Sequence, residues 1–341
     1  MISRWAALPL PHGSLSTMLG ARLSAKHVLP MESTPFKVSL SDGSTLTGEI
    51  DSLGNSQAKA NILLVHGLGS SCHDPSIVRQ ARFLAKKNFK VFRLNHRNIG
   101  SGKGKALGFY HGFRGPDIKE ALADLHKREP DARWILVGHS MSGNMVLKIA
   151  GVKEHADELK SMGCVGVSAI SPVVDLRRSS RSMHKPMFGL FNTLFLKKIN
   201  AYIRRLDNVD ESLKAAARGA KKLFEFDEMF LAPALGLPGA QAYYDLASSK
   251  DVLDEIQIQT EIFLAKDDPI APGTYKILQQ TKNPNLRIHA SRFGGHLGFV
   301  RYDFRTRQFN FFIDELLGQA CERMSSIEPR LIDLPSEFPH S

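Results

Sequence analysis

Through the first half of the chain, short apolar runs alternate with longer stretches whose apolar positions recur every three or four residues. That rhythm predicts a largely parallel sheet covered on both faces. Buried strands read as unbroken apolar runs, and each crossover needs an amphipathic helix. Residues 36–40 and 45–50 read as an opening pair of strands, joined by the Ser41-Asp42-Gly43 turn. Further strands are expected at 62–65, 89–94, 134–137 and 164–170, with helices over 76–88, 116–128 and from 144 to 150. Pro116 suits a first helical turn, and Asp117 beside it favours the helix dipole. From 175 to 244 the pattern changes to helices with aromatic and basic faces and no strand. The alternation then resumes with a strand at 261–264, a helix from 272, a strand at 286–290 and a closing helix near 303–317.

The expected organisation is an N-terminal extension (1–34), an α/β core in two parts (35–174 and 246–320), a helical insertion (175–245) and a polar tail (321–341). With 43% hydrophobic and 23% charged residues and no repeat, fibrous, disordered and solenoid classes fall away. Cys72, Cys164 and Cys321 are too scattered for a disulfide framework or a cysteine zinc site, which suits a reducing compartment. The apolar stretch near the N-terminus is broken by Pro9 and Pro11 and is too short to span a bilayer. A cytoplasmic location follows as the expectation.

The net charge is +11, and residues 177–222 hold twelve Lys/Arg against three acids. No nucleic-acid motif accompanies that segment, so nucleic acid is not an expected partner. Within it, 187–206 combines Phe and Leu with clustered basic residues. Such a helix either packs its apolar face on the core or lies on anionic lipid, and packing is the reading preferred on amphipathicity alone. Peripheral membrane contact through this basic insertion stays open.

The candidate chemistry sits in loops after strands. VGHSMSGN (137–144) falls at a strand-to-helix junction, with small residues, Gly138 and Ser142, two positions either side of Ser140. A nucleophile elbow requires small residues there because the turn crowds its own backbone. A serine hydroxyl needs a base, and the base needs a carboxylate. FGGHLGFV (293–300) offers His296, and AKDDPIAP (265–272) offers Asp268 before Pro269, with Asp267 as the alternative acid. The order Ser–Asp–His matches the α/β-hydrolase arrangement. HGLGS (66–70) supplies an oxyanion loop: the Leu68 amide would join that of Met141, with His66 and Gly67 shaping the turn. His96, Arg97 and Gly100 read as a structural turn, and Tyr110 and His111 as packing residues. GSGKGKALG (100–108) does not match a phosphate loop, no metal-ligand spacing is present, and the chemistry requires no cofactor.

Taken together, HGSLSTML, HGLGSSCHDP, NHRNIGSG, FYHGF, VGHSMSGNMVLK, FDEMFLAP, AKDDP, NPN and GGHLGFV make the chain resemble the YheT-like α/β hydrolases. That group includes plant embryogenesis-associated hydrolases and ABHD1/ABHD3-type lipases. The resemblance covers nearly the whole chain and departs from the family at Ser142, where glycine is usual, and in the 177–222 segment. It implies an α/β-hydrolase fold with a mostly parallel sheet and a helical cap, and a triad of Ser140, Asp268 and His296. It also implies action on carboxylic esters, including medium-chain acyl and phospholipid esters. The expected function is therefore a serine hydrolase of small-molecule or lipid esters. An acyltransferase using the same acyl-enzyme and a catalytically silent binding protein are the alternatives.

Overall fold

The computed structural model describes residues 13–54, 57–183, 189–207 and 209–326. Its main sheet has eight strands: β1 (Thr34–Ser39), β2 (Thr45–Asp51), β3 (Asn61–Val65), β4 (Lys90–Leu94), β5 (Trp134–His139), β6 (Cys164–Ile170), β7 (Thr260–Ala265) and β8 (Leu286–Ser291). Their spatial order is β1-β2-β4-β3-β5-β6-β7-β8. The pairs β1–β2 and β2–β4 are antiparallel and the remaining pairs are parallel. β3, β5 and β7 are buried along their whole length, as strands covered on both faces must be. Edge strand β1 turns Phe36 and Val38 inward and its neighbours out.

Side-chain alternation along β3 divides the core. Leu63 and Val65 join one apolar layer, packed with Ile118 and Leu122 of α3 (Gly115–Arg128) and Met145 and Ile149 of α4 (Met141–Gly151). Ile62 and Leu64 join the opposite layer, with Ile77 and Leu84 of α2 (Pro75–Lys86) and Ile313 and Leu317 of the final helix. The Asp74 side chain caps α2 by accepting from the Ser76 amide.

Between β6 and β7 the described elements are helical: α6 (Leu176–Met183), α7 (Gly189–Ile203), α8 (Glu211–Gly219), α9 (Leu223–Phe226), a π-helical turn (Asp227–Leu231), α10 (Ala232–Ala234), α11 (Ala240–Ala247) and a 3-10 helix (Lys250–Glu255). They close a third apolar layer around Phe226, Phe230, Ile199 and Tyr243. In α7, Phe191, Leu196, Ile199 and Ile203 turn inward, while Leu194 stays 45% exposed. The apolar side of the 187–206 stretch therefore packs on the protein; Met187 and Phe188 lie outside the described residues.

Several boundaries differ from the sequence reading. The stretch expected to open the closing helix is instead a hairpin, β9 (Val300–Asp303) with β10 (Gln308–Phe311), in which Tyr302 packs edge-on against Phe309. The helix itself runs from Phe312 to Ser325, into the expected tail. After β7 the helix expected from 272 runs from Thr274 to Leu278. Helix α5 (Lys153–Ser161) escaped the pattern because only Ala156 and Leu159 are buried on it. The extension contains α1 (Gly13–Ser24), whose buried residues are Gly13, Ser16, Gly20 and Ser24. A face made of glycine and serine leaves no apolar stripe to read. Among the described residues, no helix is long and apolar enough to cross a membrane.

Candidate active site

The parallel strands end on one side of the sheet, and the loops after β3, β5, β7 and β8 converge there. Ser140 follows β5 directly and caps α4 with φ 53° and ψ −113°, a backbone conformation that a side chain disfavours. Such strain costs about 1–3 kcal/mol and persists only where the surroundings impose it. Here the Ser140 amide donates to the Ile170 carbonyl at 2.8 Å, and the Asn144 amide donates to the Ser140 carbonyl at 3.0 Å. A Cβ on Gly138 would lie 2.3 Å from the Ser142 carbonyl oxygen, so the turn admits only glycine at that position.

The imidazole of His296 spans the gap between serine and acid. Its Nε2 lies 2.8 Å from Ser140 Oγ and its Nδ1 lies 2.8 Å from Asp268 Oδ2. The other Asp268 oxygen accepts from the Ile270 and Ala271 amides, at 2.8 and 2.9 Å, which locks the carboxylate in place. All three side chains are buried. Asp267, the alternative acid, instead accepts from the Gly295 amide at 2.9 Å and braces the loop that carries His296. Burial raises its carboxyl above the usual range.

Two further supports were not legible as chemistry. The His296 amide donates to Thr17 Oγ1 at 2.8 Å, so α1 from the extension holds the histidine loop. A Cβ on Gly20 would meet the Gly298 backbone at 2.5 Å, so helix and loop touch backbone to backbone. The second support is Ser142, where the resemblance led one to expect glycine. Its hydroxyl donates to the His66 carbonyl at 2.5 Å and stands 2.7 Å from His96 Nε2. The His96 ring stacks on Tyr110 with centroids 3.9 Å apart. His66 closes the set, with Nδ1 2.8 Å from the Gly67 carbonyl and Nε2 accepting from the His96 amide. Burial holds His66 down at about 4 and His96 well below its ordinary value, so both rings are neutral. The elbow is thus tied to the HGLG loop from beneath.

Leu68 and Met141 both line the space beside Ser140. Met141 opens α4, where a first-turn amide has no intrahelical acceptor. Two cavities meet at the serine. One, with about 970 Å³ of unfilled space open in part to solvent, runs between apolar walls that include Val173, Leu176, Phe195, Ile199 and Phe226. Asp227, Tyr244 and Ser180 also line it. The other, about 1040 Å³ and likewise part-open, has Ser140 and His296 in its wall together with Thr17, Asp74 and Ser76. Lys198 borders both. The three cysteines are unbridged and buried, and burial pushes the Cys72 thiol up to about 11, far from a nucleophile's range. Among the described residues no group of three His, Cys, Asp or Glu side chains is arranged to hold a metal ion.

Comparison with known proteins bears on the family and the fold. The chain is 28% identical over 272 residues to medium-chain fatty acid ethyl ester synthase/esterase 2 of Saccharomyces cerevisiae, covering 71% of this chain and 58% of that protein. It therefore spans less than two thirds of that relative's length. It is 25% identical over 248 residues to the YheT protein of Escherichia coli, covering 72% of each. Against phospholipase ABHD3 of Bos taurus the identity is 22% over 287 residues, covering 80% of this chain and 67% of the relative. The YheT-like resemblance is thus borne out. An esterase of Pyrococcus furiosus shares the fold, with a TM-score of 0.55 and 17% identity over 86% of this chain and 90% of the esterase. The alpha/beta hydrolase fold family matches residues 60–300, and the chain belongs to that family.

Proposed function

We propose that the protein is a carboxylic ester hydrolase that works through an acyl-enzyme on Ser140. The observation that carries this reading is the continuous relay Ser140–His296–Asp268, two contacts of 2.8 Å at the junction of two cavities. His296 Nε2 would take the Ser140 proton as Oγ attacks the ester carbonyl, and Asp268 would stabilise the resulting imidazolium. The Leu68 and Met141 amides would hold the oxyanion. His296 then returns the proton to the departing alcohol, and water repeats the sequence to release the acid.

The cavity walls support a division of the substrate. The leaving alcohol must lie next to His296, which forms part of the second cavity. The acyl chain then takes the first, apolar cavity, roofed by the 175–245 helices acting as a cap. The buried thiols support a reducing, cytoplasmic setting. That the yeast relative is a medium-chain fatty acid ethyl ester synthase/esterase and the bovine one a phospholipase supports acyl or lipid esters as the substrate class. The synthase activity of the yeast relative also favours a second reading, transfer of the acyl group to an alcohol. Half-exposed Leu194 and Met18, on α7 and α1 near the second cavity, support contact with a lipid surface. Failure to bind anionic vesicles would remove that contact.

The deciding experiment is hydrolysis of p-nitrophenyl esters of increasing chain length by wild type and Ser140→Ala, with and without added ethanol. Turnover in wild type and none in the variant supports the mechanism. Ethyl ester product in the presence of ethanol moves the reading to acyl transfer. Equal rates in both proteins refute Ser140 as nucleophile, and no turnover on any ester favours a binding protein.

A further inference from the structure

The apolar cavity contains one polar spot that the proposed reaction does not use. Asp227 stands at the start of the π-helical turn and Tyr244 lies on α11, while Ser180 comes from α6; all three are buried and line the cavity that reaches Ser140. The Tyr244 hydroxyl lies 2.6 Å from Asp227 Oδ2 and 2.9 Å from Ser180 Oγ. A phenol has one proton for two bonds, so one neighbour must donate to it. With Asp227 ionised, Ser180 donates to Tyr244 and Tyr244 to the carboxylate. With Asp227 protonated, the chain runs the other way. Among the described residues, Tyr244 is the one hydrogen-bonding partner of Asp227.

A buried carboxyl with a single hydrogen bond is an expensive thing to place in an apolar wall. An apolar group at that position would carry no such penalty in a cavity wall that also holds Leu223, Phe226 and Leu231. The π-helical turn that carries Asp227 is itself a costly local geometry, and such turns recur at functional sites. Resting on the acyl-cavity reading above, we infer that Asp227, Tyr244 and Ser180 form a subsite that selects an acyl chain bearing a hydroxyl group. A hydroxyl both donates and accepts, so it completes the carboxyl in either protonation state without importing charge. An ammonium would have to leave water for one carboxylate among apolar walls, and such a desolvation penalty can exceed the Coulombic gain. Burial also holds the Asp227 carboxyl up at about 7, so both states of the chain are accessible near neutrality.

The test walks a hydroxyl along the acyl chain of p-nitrophenyl esters and compares kcat/KM with the plain ester of equal length, for wild type, Asp227→Leu and Tyr244→Phe. At the position that reaches the subsite, wild type should prefer the hydroxylated ester by roughly tenfold, the worth of one hydrogen bond to a charged acceptor. Asp227→Leu should reverse that preference and speed turnover of the plain chain, and Tyr244→Phe should weaken it. A wild type that favours the plain chain at every position overturns the proposal, as does a preference that survives Asp227→Leu or one that is larger for an amino-substituted chain. Binding of decane-1,10-diol and decan-1-ol, measured by calorimetry on Ser140→Ala, keeps the inference separate from the hydrolase reading. Tighter diol binding that Asp227→Leu abolishes sustains the subsite even without ester turnover, and equal binding of the two alcohols sinks it.

Discussion

Replacing Asp227 with asparagine keeps the shape of the side chain and the bond from Tyr244 while removing the charge. Burial lifts the Asp227 carboxyl from its ordinary 3.8 to about 7, against the smaller opposing effect of the Tyr244 hydrogen bond. Because the folded-state value is the higher one, the native state binds the proton more tightly than the unfolded chain does. The stabilising contribution is complete below 3.8 and is lost as pH rises through about 7. The whole interval corresponds to about 4 kcal/mol at about 1.36 kcal/mol per pH unit, an upper bound because local relaxation reduces it. Stability depends on pH through every ionisable group that differs between the folded and unfolded chain, so the informative quantity is the variant's stability minus that of wild type. Urea unfolding should show that difference growing by about 2.5 kcal/mol in favour of Asp227→Asn between about pH 5 and about pH 8. A difference constant across that range would refute a buried, proton-binding Asp227. A difference that grows in favour of wild type would reverse the sign of the argument.

Ser142→Ala removes the tie between the elbow and the His66 carbonyl, leaving a buried acceptor bare; unfolding should cost about 1–3 kcal/mol less, and ester kcat should fall with KM little changed. Asp268→Asn should lower kcat by about 10³–10⁴, whereas Asp267→Asn, which still accepts from the Gly295 amide, should cost less than about tenfold; comparable losses would erase the distinction between the two acids. Gly20→Val drives a side chain into the Gly298 backbone, so α1 should lift from the histidine loop, with lower kcat and faster proteolysis within residues 13–24.

What was legible in the sequence, and what was not, follows the range of the forces involved. β3, β5 and β7 carry apolar residues on both faces, so their positions emerge from local pattern within a residue or two. Ser140, His296 and Asp268 were findable because an elbow and strand-end loops impose local residue requirements, and the structure brings the three together. Thr17 gives no such signal: a threonine on a glycine- and serine-faced helix matters here only because residue 296 lies beside it in space. Asp227 was hidden for a related reason. Its neighbours Ser180 and Tyr244 belong to different helices, and no spacing rule connects them. The hairpin overlaps the start of the helix expected over 303–317 because Val300, Tyr302, Phe309 and Phe311 find their partners across a turn, while periodicity weighs only neighbours along the chain.

The backbone contact between α1 and the histidine loop separates two boundaries that are easily equated. The stretch matching the family, 60–300, contains Ser140, Asp268, His296 and the whole lining of the apolar cavity. Yet the prop beneath His296 comes from residue 17, and β1 and β2, which finish one side of the sheet, also precede that stretch. A fragment trimmed to the matched stretch would carry the full chemical inventory and lack the scaffold that aims it. For this protein the smallest working unit is defined by mechanical support and not by the reach of detectable kinship, and an affinity tag or fusion partner placed against α1 would bear directly on the active site.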